Sequence, residues 1–227
     1  LNTVSSFSGL GLQPSSTKIV FGYPNEVDLP AGAEIYTGCD VSFIKAYKYG
    51  NEYYYLSEDE ICMSGSLDYM FSSERSAYFE SLSSVDFSNF NTEAVTNMIG
   101  MFYNCKSLPS LDLSGFNTAN VKYLACMFEN CEKLASVDLS SFNTENVEGI
   151  NFMFAGCKKL QNIDLSAFNT AKIVGMSSVF SNCENLTSLD LSSFNTENVE
   201  SMSEMFSGCS SLTSIDISTF RPDKAID

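Results

Sequence analysis

The feature that most constrains the fold of this chain is an internal repeat that recurs every 26 residues, as from Asp86 to Asp112. Aspartate, phenylalanine, leucine and cysteine each recur at a fixed position of the repeat, and no copy slips out of phase. The aspartate column is Asp86, Asp112, Asp138, Asp164, Asp190 and Asp216, and the cysteine column is Cys105, Cys131, Cys157, Cys183 and Cys209. A single unit of this length cannot bury its own apolar face, so repeats of this kind stack on one another. The sequence therefore predicts a solenoid.

The first part of each unit has the pattern of a short strand. In residues 110–114 apolar side chains alternate with polar ones. A strand here would bury Leu111 and Leu113 and expose Asp112, because successive side chains of a strand point to opposite faces. Stacked units would bring such strands together as a parallel sheet.

The second part of each unit has the pattern of a short amphipathic helix. Val121, Leu124 and Phe128 recur at i, i+3 and i+7, after side-chain oxygens suited to an N-cap. Asn130, and Gly156 in a later unit, would end the helix because both residue types tolerate the left-handed conformation of a C-terminal cap. We therefore expect a layer of helices opposite the strands.

The repeat motif resembles a known family. The shorter form L-x-x-L-x-L-x-x-F-N-T has the spacing of leucine-rich repeats, with phenylalanine in place of the usual Asn or Cys. The longer form L-x-x-L-D-L-S-x-F-N-T-x-N-V-x-x-M-x-x-M-F-x-x-C, seen over residues 186–209, resembles the BspA-like leucine-rich repeat of bacterial cell-surface proteins. The resemblance covers roughly residues 61–220, with departures at Asn162, Lys172 and Val179. It implies an extracellular repeat array that adheres to host or neighbouring-cell components.

The predicted fold class is an α/β repeat: a right-handed leucine-rich-repeat solenoid with short parallel strands on one face, short helices on the other and a small N-terminal β-capping element. The predicted segments are a mobile lead-in (1–17), a small β-hairpin element with its turn at Gly50-Asn51 (18–60), a degenerate capping repeat in which Ser72–Ala77 breaks the period (61–81), the repeat array of five full units and a partial one (82–220) and an exit segment (221–227).

Composition excludes several classes of function. The chain has no histidine, which removes Ser-His-Asp and Cys-His nucleophile activation as well as histidine-ligated zinc. The formal net charge of −16 opposes the counterion release that drives nucleic-acid binding. No apolar run approaches the roughly 18 residues of a membrane span. We therefore expect no nucleic-acid partner, no membrane insertion and no catalytic activity.

The aspartate column is the first candidate for ligand binding. Parallel strands about 4.8 Å apart would place these carboxylates in one row, where they repel one another. Two kinds of compensation remain open: a bound cation such as calcium, and hydrogen bonds from flanking serines and turn N–H groups. The candidates chosen from this row are Asp112, Asp138, Asp164 and Asp190.

The cysteines allow two interpretations. The cysteine column follows the apolar periodicity, so its thiols are predicted to fill the interior, and its axial spacing argues against a tetrathiolate zinc site. Cys39 and Cys62 lie outside the column and are the best candidates for a disulfide. Cys126 also departs from the column, and its redox state stays open.

Aromatic side chains supply the remaining candidates. The densest aromatic cluster consists of Tyr47, Tyr49, Tyr53, Tyr54 and Tyr55. Alternate tyrosines of a hairpin face opposite sides, so some are predicted to be exposed and suited to protein or glycan contact, although packing of the cap is the competing explanation. Phe152 stands in a variable, apparently exposed column, whereas the Met-Phe pairs such as Met127-Phe128 are predicted to be core.

Taken with the resemblance, these features favour a noncatalytic cell-surface binding module, located at the bacterial surface or secreted, that adheres to an extracellular protein or glycan. Two alternatives remain. The repeats could form a structural spacer within a larger surface protein. A glycan-active enzyme with a carboxylate pair is the other, but the regular row offers neither a cleft nor a differentiated acid.

Overall fold

The structure is a computed structural model that describes residues 3–5, 7–37, 39–73, 77–221 and 223–225. Parts of the predicted lead-in, capping repeat and exit segment, namely residues 1–2, 6, 74–76, 222 and 226–227, lie outside the described residues. The described elements are β1 (Thr3–Val4), a short 3-10 helix (Phe7–Leu10), β2 (Lys18–Gly22), β3 (Glu34–Ile35), β4 (Lys45–Tyr49), β5 (Glu52–Leu56), β6 (Ile61–Ser66), β7 (Ser72–Ser73), β8 (Ala77–Tyr78), β9 (Ser84–Asp86), β10 (Phe90–Asn97), β11 (Ser110–Leu111), β12 (Ser136–Val137), β13 (Ser188–Asp190) and β14 (Ser214–Asp216).

The N-terminal region is a mixed sheet joined to the first repeat. β4 and β5 form an antiparallel hairpin around Gly50, which has a φ of 57°, as the Gly50-Asn51 turn predicted. β2 pairs in parallel with β5 on one side and with β9 of the first repeat on the other, giving the strand order β3-β4-β5-β2-β9. A second sheet, β1-β6-β10, is entirely parallel. The hairpin element therefore covers the strand edge at the beginning of the array.

The segment predicted as a lead-in contributes to the core where it is described. Val4 on β1 is buried, and Leu10, at the end of the 3-10 helix, is fully buried. Its predicted mobility in solution stays a prediction.

Successive repeats contact each other in register. β11 pairs in parallel with β12 and β13 with β14, each through equivalent residues of adjacent repeats, such as Ser110 with Ser136. A column of isolated parallel bridges runs beside them through Asn97, Tyr123, Gly149, Gly175 and Ser201. The predicted alternation is confirmed: Leu111 and Leu113 are buried, and Asp112 is exposed.

The predicted helices are wrong: among the described residues no α-helix forms, and the segments in question are successive turns. Two positions of each repeat, four residues apart, have positive φ, as at Cys126 (58°) and Asn130 (60°). An α-helix needs every residue in the right-handed region, so two left-handed residues this close exclude it. The left-handed conformation expected at Asn130 and Gly156 is confirmed, but it closes a turn and not a helix.

The backbone hydrogen bonds show what replaces the helix. The N–H groups of alternate residues donate to carbonyls of the next repeat, as from Cys126 to Asn151 and from Phe128 to Met153, both at 2.9 Å. The intervening N–H groups donate three residues back, as from Cys131 to Phe128. In an α-helix the N–H groups of those alternate residues would donate to the carbonyl four residues earlier, but here they donate to the next repeat. We call this arrangement the turn ladder.

The predicted solenoid is also wrong. Among the described residues the strands belong to five small sheets, and no continuous parallel sheet runs through the array. The strand segments are only two or three residues long from β11 onward, and residues 161–165 form none. Successive repeats are held together mainly by the hydrogen bonds of the turn ladder and by buried side chains. Strand pairing contributes little.

Side chains stacked from repeat to repeat form the core. The rings of Phe71, Phe102, Phe128, Phe154, Phe180 and Phe206 stack at centroid distances of 5.3, 5.7, 5.5, 5.7 and 6.0 Å. Methionine precedes five of these rings, and Met70, Met101, Met127, Met153 and Met205 are all buried, which confirms the Met-Phe pairs as core.

The threonine of each F-N-T block joins one repeat to the next. The buried Thr144 hydroxyl donates to the Asn169 carbonyl at 3.0 Å and accepts from the Asn169 N–H at 2.8 Å. Thr118 and Thr170 make the same pair of bonds with the next repeat. Each buried backbone group is thereby satisfied by a short side chain from the preceding unit.

Candidate functional site

The aspartate row lies on the exposed strand face, and its carboxylates cap turns. In every repeat, Oδ1 of the aspartate accepts the N–H of the serine two residues further on, as from Ser140 to Asp138 and from Ser166 to Asp164, both at 2.9 Å. These Ser hydrogen bonds lower the pKa of Asp138 and Asp164 below its ordinary value, and for Asp138 they outweigh the repulsion from its neighbours. The hydrogen-bonding alternative is thus present, and the carboxylates are ionised at neutral pH.

The row has no cationic partner over the part of the chain that the structure describes. The ion pairs there are Lys18–Glu52, Lys106–Glu80 and Lys158–Glu132, at 4.0, 2.7 and 3.3 Å. All three lie away from the aspartate column. The strand face therefore presents a line of negative charge that is hydrogen-bonded but has no cationic partner among the described residues.

One cleft interrupts this face, with a volume of about 320 Å³. Its lining includes Asp138 and Asp164, with partly buried Val137 and Ile163 and the exposed Ala167. Of the four aspartates predicted as ligand-binding residues, the structure brings these two together in the cleft; Asp112 and Asp190 lie elsewhere along the row.

The cleft coincides with a missing strand pair. Residues 161–165 form no strand, so β12 pairs with β11 on one side only. At the paired interfaces a hydroxyl bridges adjacent repeats: Ser141 donates to the Leu113 carbonyl at 3.2 Å, and Thr219 to the Leu191 carbonyl at 3.4 Å. The equivalent residue in the cleft repeat is Ala167, which has no hydroxyl. Asn162 also replaces the serine of the other repeats, and asparagine is disfavoured in strands.

The tyrosine cluster serves mainly as packing. Tyr53 and Tyr55 face the main core and Tyr54 a smaller one, and all three are buried. Burial, then the hydrogen bond to Glu52, raises the pKa of Tyr54 to about 12, and burial raises the pKa of Tyr55 further. Both faces of β5 are therefore covered by other parts of the chain. The alternation of side chains along the hairpin predicts two faces but does not show whether each face is covered.

Only two tyrosines of that cluster remain accessible. Tyr49 is 47% exposed, and Tyr47 is partly buried against the smaller core. The three buried members are unavailable to a partner.

Phe152 is exposed, at 41%, as its variable column predicted. It has a positive φ of 58° and belongs to the turn ladder, on which Tyr123 and Val174 are also exposed. These residues lie on the turn side of the repeats, apart from the residues that line the cleft.

All eight cysteines are free, so a Cys39–Cys62 disulfide is not present. The column cysteines are interior thiols, as predicted: Cys157 is buried and donates to the Phe128 carbonyl at 3.1 Å. Burial raises the pKa of Cys183 to about 12, which suppresses the reactive thiolate. Cys126 is partly exposed, and burial followed by its hydrogen bond to Glu129 raises its pKa to about 12 as well.

Within the described ranges, no group of three or more cysteine, aspartate or glutamate residues could hold a metal ion, and no helix is long and apolar enough to cross a membrane.

Comparison with protein families matches the repeats to a model described as "Mycoplasma protein of unknown function, DUF285", over residues 65–185 and 157–227. The chain belongs to the DUF285 family. No curated protein and no solved structure matches it. In this DUF285 chain the matched ranges contain the whole cleft and Phe152, whereas the tyrosine cluster lies before them.

Sequence reasoning treated the aspartates of this DUF285 chain as equivalent and missed the cleft. Two substitutions within the repeat could have indicated it, Asn162 for serine and Ala167 for a hydroxyl-bearing residue. Their consequence depends on which backbone groups meet between repeats, and the repeat pattern alone does not specify that contact.

Proposed function

We propose that this chain is a noncatalytic binding module of the bacterial cell surface that adheres to an extracellular protein through its exposed strand face. The observation that carries the proposal is the line of ionised carboxylates, which has no cationic partner among the described residues and which a cleft interrupts. The resemblance of the repeat motif to BspA-like surface proteins supports the location and the adhesive role.

The chemistry of the row supports binding over catalysis. Asp112, Asp138, Asp164, Asp190 and Asp216 all have a pKa below the ordinary value because of hydrogen bonds from serine. A carboxyl group that acts as a general acid needs a raised pKa, and a catalytic pair needs two groups with different values. Uniform, solvent-exposed carboxylates suit charge complementarity with a partner.

A protein is favoured over a glycan as partner. The cleft lining consists of short polar side chains, two carboxylates and aliphatic groups, and it contains no aromatic ring. Four aromatic side chains are exposed among the described residues, and none of them lines the cleft: Tyr49, Tyr69, Tyr123 and Phe152. The cleft therefore lacks a stacking platform for sugars.

The test is quantitative binding of the purified chain to immobilised extracellular-matrix proteins, mucin glycans and bacterial wall polymers, each with calcium and with chelator. We expect saturable binding to at least one protein, weakened by salt because the face is charged. Binding to glycans alone would contradict the choice of partner. Absence of binding in every arm would contradict the adhesive function and favour a spacer.

A further inference from the structure

We propose that the cleft between residues 136–140 and 162–167 binds an arginine side chain of the partner, with the guanidinium held by Asp138 and Asp164. This inference rests on the proposed function, because it assigns the contact point on the strand face and the chemistry of the group that docks there. It concerns one interface between repeats and not the row as a whole.

Shape is the first argument. All the aspartates of the row cap turns, but among those predicted as ligand-binding residues only Asp138 and Asp164 border this cleft of about 320 Å³. A single side chain can enter a space of that size, and a folded domain cannot. The space lies where residues 161–165 do not pair with β12.

Charge is the second argument. The negative charge of Asp112 raises the pKa of Asp138, and so does that of Asp164, the other carboxylate of the cleft; serine hydrogen bonds still keep the pKa of Asp138 below its ordinary value. Asp138 and Asp164 therefore repel each other. A cation between them would relieve this repulsion. The planar fork of a guanidinium can meet two carboxylates at once, which an ammonium does less well.

The apolar part of the lining is the third argument. Val137 and Ile163 line the cleft together with the two carboxylates, and both are partly buried. An arginine buries its methylene groups along such apolar surface while its charged end reaches polar groups. The arrangement matches the two chemical parts of one arginine side chain.

The test uses the isotope-labelled full chain and a glycine-serine peptide with one arginine, followed by amide chemical shifts. We expect saturable shifts confined to residues around the cleft, and none with the same peptide carrying citrulline, which keeps the shape and lacks the charge. Shifts spread evenly along the aspartate row, or equal shifts with citrulline, would overturn the assignment.

Matched variants separate the cleft from the row. Asp138→Asn and Asp164→Asn keep the oxygen that caps the turn, so the fold is retained, and each is expected to weaken binding roughly tenfold. Asp190→Asn removes the same charge outside the cleft and is expected to change affinity less than twofold. An equal effect of Asp190→Asn would show that the row binds cations without a specific site.

A steric pair completes the test. Ala167→Trp fills the cleft and leaves both carboxylates in place, whereas Ser193→Trp makes the same change at the equivalent, exposed position of the next repeat. Only the first is expected to abolish peptide binding; unchanged binding would overturn the proposal. If the matrix-protein binding persists in Asp138→Asn/Asp164→Asn, the proposed function stands and this site fails.

Discussion

At the scale of single residues, the repeat is held together by small polar side chains that satisfy backbone groups of the neighbouring unit. Thr144 makes such bonds through a buried hydroxyl and Cys157 through a buried thiol. The exposed carboxylate of Asp138 instead accepts a backbone N–H of its own unit. The conservation of these types from repeat to repeat within the chain therefore reflects hydrogen bonding as much as packing.

The threonine bridges provide the sharpest stability test at this scale. Thr144→Val keeps the shape and leaves the N–H and carbonyl of Asn169 without their hydroxyl partner. We expect a loss of about 1–3 kcal/mol in the free energy of unfolding, measured by urea denaturation. Thr144→Ser is the control, since it loses only a methyl group, worth about 0.8 kcal/mol. A valine variant as stable as the parent would contradict the bridging role.

At the scale of elements, turns occupy the place of the predicted helices because the backbone bonds between repeats instead of within a unit. The periodicity of Val121, Leu124 and Phe128 was correctly identified as a buried face, since all three are fully buried. Apolar spacing reports which side chains face inward and is compatible with turns as well as with a helix. The left-handed backbone of Asn130 was predicted as the end of a helix, whereas in the structure it closes a turn.

Glu204 distinguishes the turn ladder from a helix. It is exposed and has a φ of 56°. Glycine adopts this conformation freely, so we expect Glu204→Gly to be more stable than Glu204→Ala by about 1 kcal/mol in thermal or urea unfolding. If this segment were a helix, Glu204→Ala would instead be the more stable variant, by a similar free energy of unfolding. Alanine emerging as the more stable variant would therefore argue for the helix.

The missing strand pair at the cleft is also testable at this scale. Asn162→Ser/Ala167→Ser restores the residues found at the paired interfaces, and we expect the strand to form and the amide of Ile163 to exchange more slowly with solvent. The converse variant Ser141→Ala removes the hydroxyl that bridges to Leu113 at 3.2 Å and should speed exchange on β12. If amide exchange were unaltered in both variants, these hydroxyls would not be what stabilises strand pairing.

At the scale of the whole molecule, charge and hydrogen bonding act in opposite directions with pH. The net charge of −16 destabilises the folded chain by self-repulsion at neutral pH, while the ionised aspartate row stabilises it through the turn caps. The pKa of Asp112, Asp138, Asp164, Asp190 and Asp216 is lowered from 3.8. Their contribution is fully present above that value and is lost as the pH falls through the folded-state pKa.

We therefore expect the melting temperature to rise as the pH falls from 7 towards 5, since repulsion decreases, and to drop below about pH 4 as the row is protonated. Added salt should raise the melting temperature at pH 7 by screening the repulsion. Replacing the five aspartates by asparagine keeps an oxygen that can accept the turn-capping hydrogen bond but removes the titratable group. The fall of the melting temperature below about pH 4 should therefore become smaller. A melting temperature that continues to rise below pH 3 would contradict the stabilising role of the row.

The candidate site was predictable in part. The aspartate column and the exposure of Phe152 follow from spacing, because a regular repeat places equivalent residues at equivalent positions. Packing of the cap, one of the two explanations for the tyrosine cluster, is confirmed for Tyr53, Tyr54 and Tyr55. The burial of both faces of β5 did not follow from the sequence, since it depends on two separate groups of core residues that cover them. The hydrophobic pattern of the hairpin alone does not show which other segments of the chain pack against its faces.

The sequence by itself determined the repeat, its buried columns and the uniform charge of one face, because these depend only on residue type and period. The tertiary structure decided the backbone conformation between the columns. A short amphipathic segment can satisfy its N–H groups within itself or across to a neighbour, and here the neighbouring repeat supplies carbonyls at each alternate residue. The same kind of contact matters at the cleft, where Asn162 and Ala167 stand in the repeat whose residues 161–165 form no strand with β12.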